Sequence, residues 1–225
     1  LASHGFAVTL VDMKPQRFTP AHADQNFCEL VCSNSLKSDD VYGNACGLLK
    51  EEMRILGSVT MEAAAATRVP AGGALAVDRH AFAAYVTQKL RGMPNISFVS
   101  AEDEEIPESP CIVATGPLTG ERFAAKLAER FGGNLFFYDA AAPIVSASSI
   151  DYAKTFTADR YGKGSGDYVN CPMNREEYEA FVDALLSAER VIARDFEKRD
   201  VFEGCMPVEI MASRGRDTLR FGTFK

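Results

Sequence analysis

No run of the 225 residues is apolar for long enough to cross a membrane. The first residues also lack the basic segment and apolar stretch of a secretory leader. The six cysteines (Cys28, Cys32, Cys46, Cys111, Cys171 and Cys205) include no Cys-x-x-Cys pair, which counts against a zinc site. Thiols this sparse point to a reducing cytoplasm and free side chains. An excess of positive charge is missing as well. The net charge of -7 argues against a large nucleic-acid-coating surface, while leaving room for a local basic patch. What is present is a hydrophobic content of 47%, enough for one large domain or two small ones with real cores, which excludes gross disorder. Residue 1 is Leu, and Arg220-Phe-Gly-Thr-Phe-Lys225 carries no terminating signal, so the chain reads as a piece of a longer protein.

In chain order, Leu1-Ala-Ser-His-Gly5 reads as a helix tail closed by glycine, and Phe6 to Asp12 as a short buried strand ending in an acid. Helix, glycine, strand and acid form the back half of a dinucleotide-binding βαβ unit, where the acid accepts ribose hydroxyls. The plainer role for Asp12 is to cap a turn. Lys14 and Arg17 lie in a proline-bounded extended segment and face either phosphates or water. Asn44 to Leu56 reads as a helix with Leu48, Leu49, Met53 and Leu56 inward, and Lys50, Glu51, Glu52 and Arg54 on its solvated face. Asp78 caps a helix to Arg91 with Phe82, Tyr85, Val86 and Leu90 inward, His80 being surface or capping. Ile96 to Val99 follows as a strand. Cys111 to Pro117 reads as a buried strand opening into Thr115-Gly116, the position where open α/β sheets bind ligands. Thr119 caps a helix to Phe131.

After Tyr138 the texture changes. A Ser-rich link leads to a glycine-rich loop, Asp159 to Tyr168, which lacks the Gly-Lys-Ser/Thr ending of a phosphate loop and reads as a mobile surface turn, with RNA contact as the lesser alternative. Asn174 and Glu177 form a capping box opening a helix with Tyr178, Phe181, Val182, Leu185 and Leu186 inward. The expected organisation is therefore an α/β chain. Residues 1–137 form a partial, N-terminally truncated Rossmann-like domain, and residues 138–225 an incomplete, smaller α+β domain inserted into or appended to it.

Three stretches stand apart. Glu29-Leu-Val-Cys-Ser-Asn-Ser-Leu36 places Cys32 before Ser33, Asn34 and Ser35, whose side chains bond nearby backbone and favour turns and caps. Pro70-Ala-Gly-Gly-Ala-Leu-Ala-Val-Asp-Arg79 holds two adjacent glycines, which either let backbone approach a ligand closely or simply turn tightly. Phe202-Glu-Gly-Cys-Met-Pro207 sets Cys205 in an irregular turn between Glu203 and Glu209, carboxylates that raise a thiol pKa, so that a base must activate it. Ser213 to Arg220 follows with three arginines, suited to a phosphate-bearing substrate or to water.

These three stretches, with Val113-Ala-Thr-Gly-Pro-Leu118, Tyr138-Asp-Ala-Ala-Ala-Pro143 and Asn170-Cys-Pro-Met173, occur in an order that closely resembles the folate- and FAD-dependent tRNA (uracil-5-)-methyltransferases. Those enzymes are relatives of the flavoprotein that modifies the tRNA wobble uridine. The resemblance covers roughly the N-terminal half of such an enzyme, without its glycine-rich flavin fingerprint. It implies FAD reduced by NAD(P)H, methylenetetrahydrofolate as one-carbon donor, and C5 of the tRNA T-loop uridine, uridine 54, as acceptor. It implies Cys205 as the nucleophile that adds to C6, and Cys32 beside the flavin as proton acceptor. Asp12, where the family usually has Glu, would hold the FAD ribose. Lys14, Ser33, Asn34, Ser35, Gly72, Gly73, Ala74, Thr115 and Gly116 complete the implied cofactor-binding set. Cys171 matches a recurrent family cysteine whose role is structural. Arg214 and Arg216 are expected to meet RNA phosphate, because the uridine must leave its stack to be modified. The competing readings are a wobble-uridine-modifying relative, an FAD oxidoreductase without RNA, and a non-catalytic RNA- or protein-binding fragment. Oligomeric state is not legible.

Overall fold

The computed structural model describes residues 1–19, 21–31, 33–102, 105–108, 110–116, 119–132, 145–159, 162, 165–189 and 208–221. The chain divides into two compact units. The first comprises Leu1–Val69 and Ala74–Phe137, and the second Pro70–Gly73 and Tyr138–Lys225.

The first unit opens on a single helical turn, Ala2–His4, closed by Gly5 at φ 84°, a left-handed conformation that glycine adopts without a Cβ clash. Strand β1 (Val8–Asp12) then pairs in parallel with β5 (Ile96–Ser100), Val8 opposite Ile96 and Asp12 opposite Ser100. Parallel neighbours need a crossover, and the chain between them supplies it. That crossover holds β2 (Ser35–Ser38), α1 (Ala45–Ile55), α2 (Val59–Ala66), β3 (Arg68–Val69), β4 (Ala74–Val77) and α3 (Arg79–Arg91). Strands β2, β4 and β3 form an antiparallel sheet in that order. The chain is thus mixed α/β with a parallel pair. Its first core gathers Met61, Ala63 and Ala64 of α2, Leu75 and Val77 of β4, and Phe82 and Val86 of α3, with Tyr85 and Leu90 packed at its margin.

Helix α3 forms as its spacing predicts, its N-terminal amides at His80 and Ala81 both donating to Asp78 Oδ1 at 3.0 Å. His80 is exposed, with its ring 3.5 Å from Asp24. Helix α1 forms too, capped by Asn44, and Met53 packs against the core as its spacing predicts, but the leucines do not follow it. Leu48, Leu49 and Leu56 are exposed, whereas Gly47 and Lys50 are buried. The cause lies in the neighbour: the Asp40 backbone passes so close that only a glycine fits at position 47, and this pulls the Gly47–Lys50 side inward. Arg54 likewise leaves the solvated face to bond Asp39 at 2.5 Å.

Residues 111–116 correct a second expectation. Cys111, Ile112 and Val113 are exposed and no strand forms there, because a strand exists only where a neighbour pairs its backbone. Helix α4 (Glu121–Phe131) starts one residue later than expected. Gly120 occupies the cap position, and the Thr119 hydroxyl bonds Thr115 Oγ1 at 2.7 Å instead.

The second unit contains a two-stranded antiparallel ribbon, β6 (Phe156–Thr157) with β7 (Val169–Asn170). Helix α5 (Arg175–Ser187) opens on the expected capping box: Glu177 N–H donates to Asn174 Oδ1 at 2.9 Å, and Asn174 N–H to Glu177 Oε2 at 2.8 Å. Val182 of α5 meets Ala212 of α6 (Val208–Ser213) and Leu219 of α7 (Thr218–Phe221) in a small core edged by Tyr178, Leu185 and Leu186. Phe181 is exposed rather than inward, at 41%, because α6 and α7 cover only the Tyr178–Val182–Leu185 side.

Candidate functional site

The carboxyl ends of β1 and β5 border an open cleft of about 420 Å³, within the range that holds small ligands. Asp12, Lys14, Gln25, Arg91 and Ser100 supply its polar edge, and Leu10, Phe27 and Phe98 its apolar one. The rings of Phe27 and Phe98 stack at 5.7 Å. Asp12 does cap a turn, accepting the Lys14 N–H at Oδ1 at 2.8 Å. A carboxylate has about four acceptor sites, so this bond leaves capacity for a ligand hydroxyl.

Lys14 borders the same cleft but is 8% exposed, and its ammonium is held inside the protein. It donates to the Asn26 carbonyl and lies 3.6 Å from Glu29 Oε2. Glu29 Oε1 accepts the amides of Ala23 and Asp24 at 2.9 and 3.1 Å, while Oε2 is buried with no hydrogen-bond donor. His22 stands in the same charge cluster. Burial lowers its pKa most, Glu29 opposes that, and Lys14 adds to it. Arg17, the second cation of the segment, is exposed to water and pairs there with Glu102. His22 and Asn26 were not singled out from the sequence, and Glu29 entered only as the first residue of the Cys32 stretch. The one signal for this cluster was the charge of Glu29 at the head of that stretch, which the thiol overshadowed.

Ser35 begins β2 opposite Ala76 of β4, and Asn34 and Ser33 lead into it. Asn34 bonds Val77 twice: its carbonyl accepts the Val77 amide at 3.0 Å, and its Nδ2 donates to the Val77 carbonyl at 2.9 Å. The Ser33 and Ser35 hydroxyls accept the amides of Ser35 and Lys37, the local turn bonding expected of them. Ala74 begins β4 opposite Ser38. Cys32 and Cys205 lie outside the described residues. Cys28, Cys46, Cys111 and Cys171 are free thiols.

In the second unit the Gly72 amide donates to Asp167 Oδ2 at 2.6 Å, and Gly72 takes φ 55°. A Cβ built at Gly73 would meet open space. Thr115 and Gly116 are exposed, with Gly116 at φ 74°. Arg214 and Arg216 are exposed on the turn between α6 and α7, and Arg216 is paired with Asp183. Among the described residues no cluster of His, Cys, Asp and Glu has metal-binding geometry, and no helix is long and apolar enough to cross a membrane.

Comparison with known proteins agrees along the whole chain. A protein of Geobacter sulfurreducens named methylenetetrahydrofolate--tRNA-(uracil-5-)-methyltransferase TrmFO is 58% identical over 227 residues, covering 100% of this chain and 52% of its own length. Proteins of the same name from Bacillus licheniformis and Staphylococcus carnosus are each 54% identical over 226 residues, with the same coverage. The chain therefore spans about half the length of the curated relatives it matches. The family described as Glucose inhibited division protein A matches residues 1–225, and to that family this chain belongs.

Proposed function

We propose that this chain forms part of a flavoprotein that methylates C5 of the T-loop uridine of tRNA. The observation that carries the reading is 54–58% identity over the full chain to proteins bearing that activity in their names. The residues fit FAD on three counts. The parallel β1–β5 pair ends in an acid beside an open cleft of about 420 Å³. Asp12 keeps acceptor capacity for ribose hydroxyls. Gly73 leaves room where a side chain would stand. When bound, FAD reduced by NAD(P)H supplies electrons, and methylenetetrahydrofolate the one-carbon unit.

Asp12 holds the ribose. The ammonium of Lys14, engaged by Asn26 and Glu29, fixes the loop beside it rather than meeting phosphate directly. Ser33, Asn34, Ser35, Gly72, Gly73, Ala74, Thr115 and Gly116 line the cofactor. Cys205 adds as thiolate to C6 of the uracil, and the displaced electron pair makes C5 enolate-like and nucleophilic. Cys32 accepts the C5 proton once the new carbon is attached, and expulsion of the Cys205 thiolate restores the ring. Arg214 and Arg216 meet the RNA backbone. The four free thiols among the described residues suit a reducing cytoplasm.

The test is covalent trapping on RNA carrying 5-fluorouridine, whose C5–F bond blocks release of the thiol. The protein made from its complete reading frame forms the adduct, and Cys205→Ala abolishes it. An adduct surviving that substitution removes Cys205 from the mechanism. Methylation of the wobble uridine instead of the T-loop uridine in unmodified tRNA would transfer the protein to the related activity.

A further inference from the structure

The peptide unit joining Ala71 to Gly72 is bonded at both ends. Its N–H, on Gly72, donates to Asp167 Oδ2 at 2.6 Å, and its carbonyl, on Ala71, accepts the Tyr168 hydroxyl at 2.9 Å. The two bonds leave opposite edges of one planar group, so rotating that plane within the turn breaks both together. The grip is itself braced. Asp167 Oδ1 accepts the Ser165 hydroxyl at 2.8 Å, and the Asp159 carboxylate accepts the amides of Gly166 and Asp167. Gly72 sits at φ 55°, which glycine adopts as readily as its mirror image, so little in the turn's own backbone selects one orientation. The selection comes from residues about a hundred positions downstream.

We propose that Asp167, with Tyr168, is a positioning residue that pins the Ala71–Gly72 peptide, so that the Gly72–Gly73 turn presents bare Cα rather than a polar edge to the flavin. The proposal rests on the flavin reading above. It gives the glycine-rich loop from Asp159 to Tyr168 a task other than meeting RNA. With the Gly72 amide engaged by Asp167, that amide is not a flavin ligand, and the turn contributes shape. The Gly72 amide, then the Ser165 hydroxyl, hold the Asp167 carboxyl below the ordinary range, as bonds to the ionised form do.

The experiment uses the flavin-loaded protein from its complete reading frame, with two readouts: deuterium exchange at the residue 70–73 amides, and the affinity and absorption spectrum of the bound flavin. Asp167→Ala raises exchange there and weakens flavin about tenfold, the scale of one lost charged hydrogen bond, with a shifted spectrum. Asp167→Asn keeps one acceptor oxygen and recovers part of both. Tyr168→Phe removes a single hydroxyl and gives a smaller change of the same kind, which keeps the test open should Asp167→Ala fold poorly. A loaded wild type alongside variants of unchanged exchange, or of raised exchange with unchanged flavin, overturns the positioning role alone. A wild type that takes up no flavin overturns the parent reading, and this one with it.

Discussion

The Lys50 ammonium donates to the Leu36 carbonyl at 2.7 Å and to the Cys46 carbonyl at 2.8 Å, fastening α1 to β2 with a side chain only 5% exposed. Lys50→Met keeps the length and apolar stem of the side chain and removes both donors. Two part-buried carbonyls then lose the ammonium donor, which costs about 1 kcal/mol. Denaturant unfolding should show a lower midpoint with an unchanged slope. An unchanged midpoint would mean that water satisfies those carbonyls equally well.

Gly47 makes a sharper case. Alanine is the better helix former by roughly 1 kcal/mol, so propensity alone favours Gly47→Ala. The new Cβ would overlap the Asp40 carbonyl and its peptide, which are backbone and cannot swing aside. Overpacking of this kind costs about 1–3 kcal/mol, so the clash wins. The expected outcome is net destabilisation by thermal unfolding, and a stabilised variant would contradict the close approach.

Asp39 joins two elements by charge. Its carboxylate meets Arg54 of α1 at 2.5 Å and Arg68 of β3 at 2.9 Å. Burial alone would raise its pKa, but the Arg54 and Arg68 bonds outweigh that and hold it below the ordinary 3.8. A depressed carboxyl binds its proton more weakly in the folded state. Its contribution is therefore complete above the unfolded value and lost as pH falls below it through the folded one. Asp39→Asn should flatten stability against pH in the acid limb below about pH 4 and leave the neutral-to-alkaline limb parallel to wild type. An unaltered acid limb would remove the Asp39 bridge from the titration.

Local chemistry made α3, α5 and β5 legible, because a cap and an apolar spacing lie within a few residues of each other. Asp78 before the Phe82–Val86 pattern and Asn174 before Glu177 are complete statements in the sequence. Helix α1 was legible as an element but not in its orientation. Leu48 and Leu49 announce an inward face, and only the passage of Asp40 over Gly47 reverses it. Helix α2 was missed although Met61-Glu-Ala-Ala-Ala-Ala66 is a run of strong helix formers. Residues 111–116 show the converse: an apolar, β-branched run is a strand only when a partner pairs with it. At the site, Asp12 was legible from its place at the end of β1, but the internal engagement of Lys14 was not. Asp167 could not be found at all, since its bond to Gly72 joins positions 95 residues apart.

Gly73 separates a structural glycine from a ligand-facing one. Nothing in the protein stands within 4 Å of a Cβ placed there, so Gly73→Ala should leave stability within roughly 0.5 kcal/mol. If the flavin occupies that space, the added methyl group meets it, and flavin affinity falls while the unfolding midpoint stays in place. Titration of FAD into the stripped full-length protein measures this directly. Equal affinity in the two proteins would remove Gly73 from the cofactor wall.

The two arginines proposed for RNA are unequal, and the inequality is testable. Arg216 is already paired with Asp183 and packs its carbonyl under the Tyr178 hydroxyl at 2.5 Å, so meeting a phosphate requires it to exchange one anion for another. Arg214 is exposed on the same turn. An exposed ion pair contributes only about 0–1 kcal/mol, so the exchange is feasible but reduces the gain. Arg214→Ala should therefore weaken tRNA binding more than Arg216→Ala. It should also flatten the dependence of log affinity on log salt by about 0.7–0.9, the share of one phosphate contact. Asp183→Asn releases Arg216 and should strengthen binding at low salt, because the freed guanidinium no longer trades a carboxylate for the phosphate. If all three variants bind with the wild-type salt slope, this turn does not touch the RNA backbone.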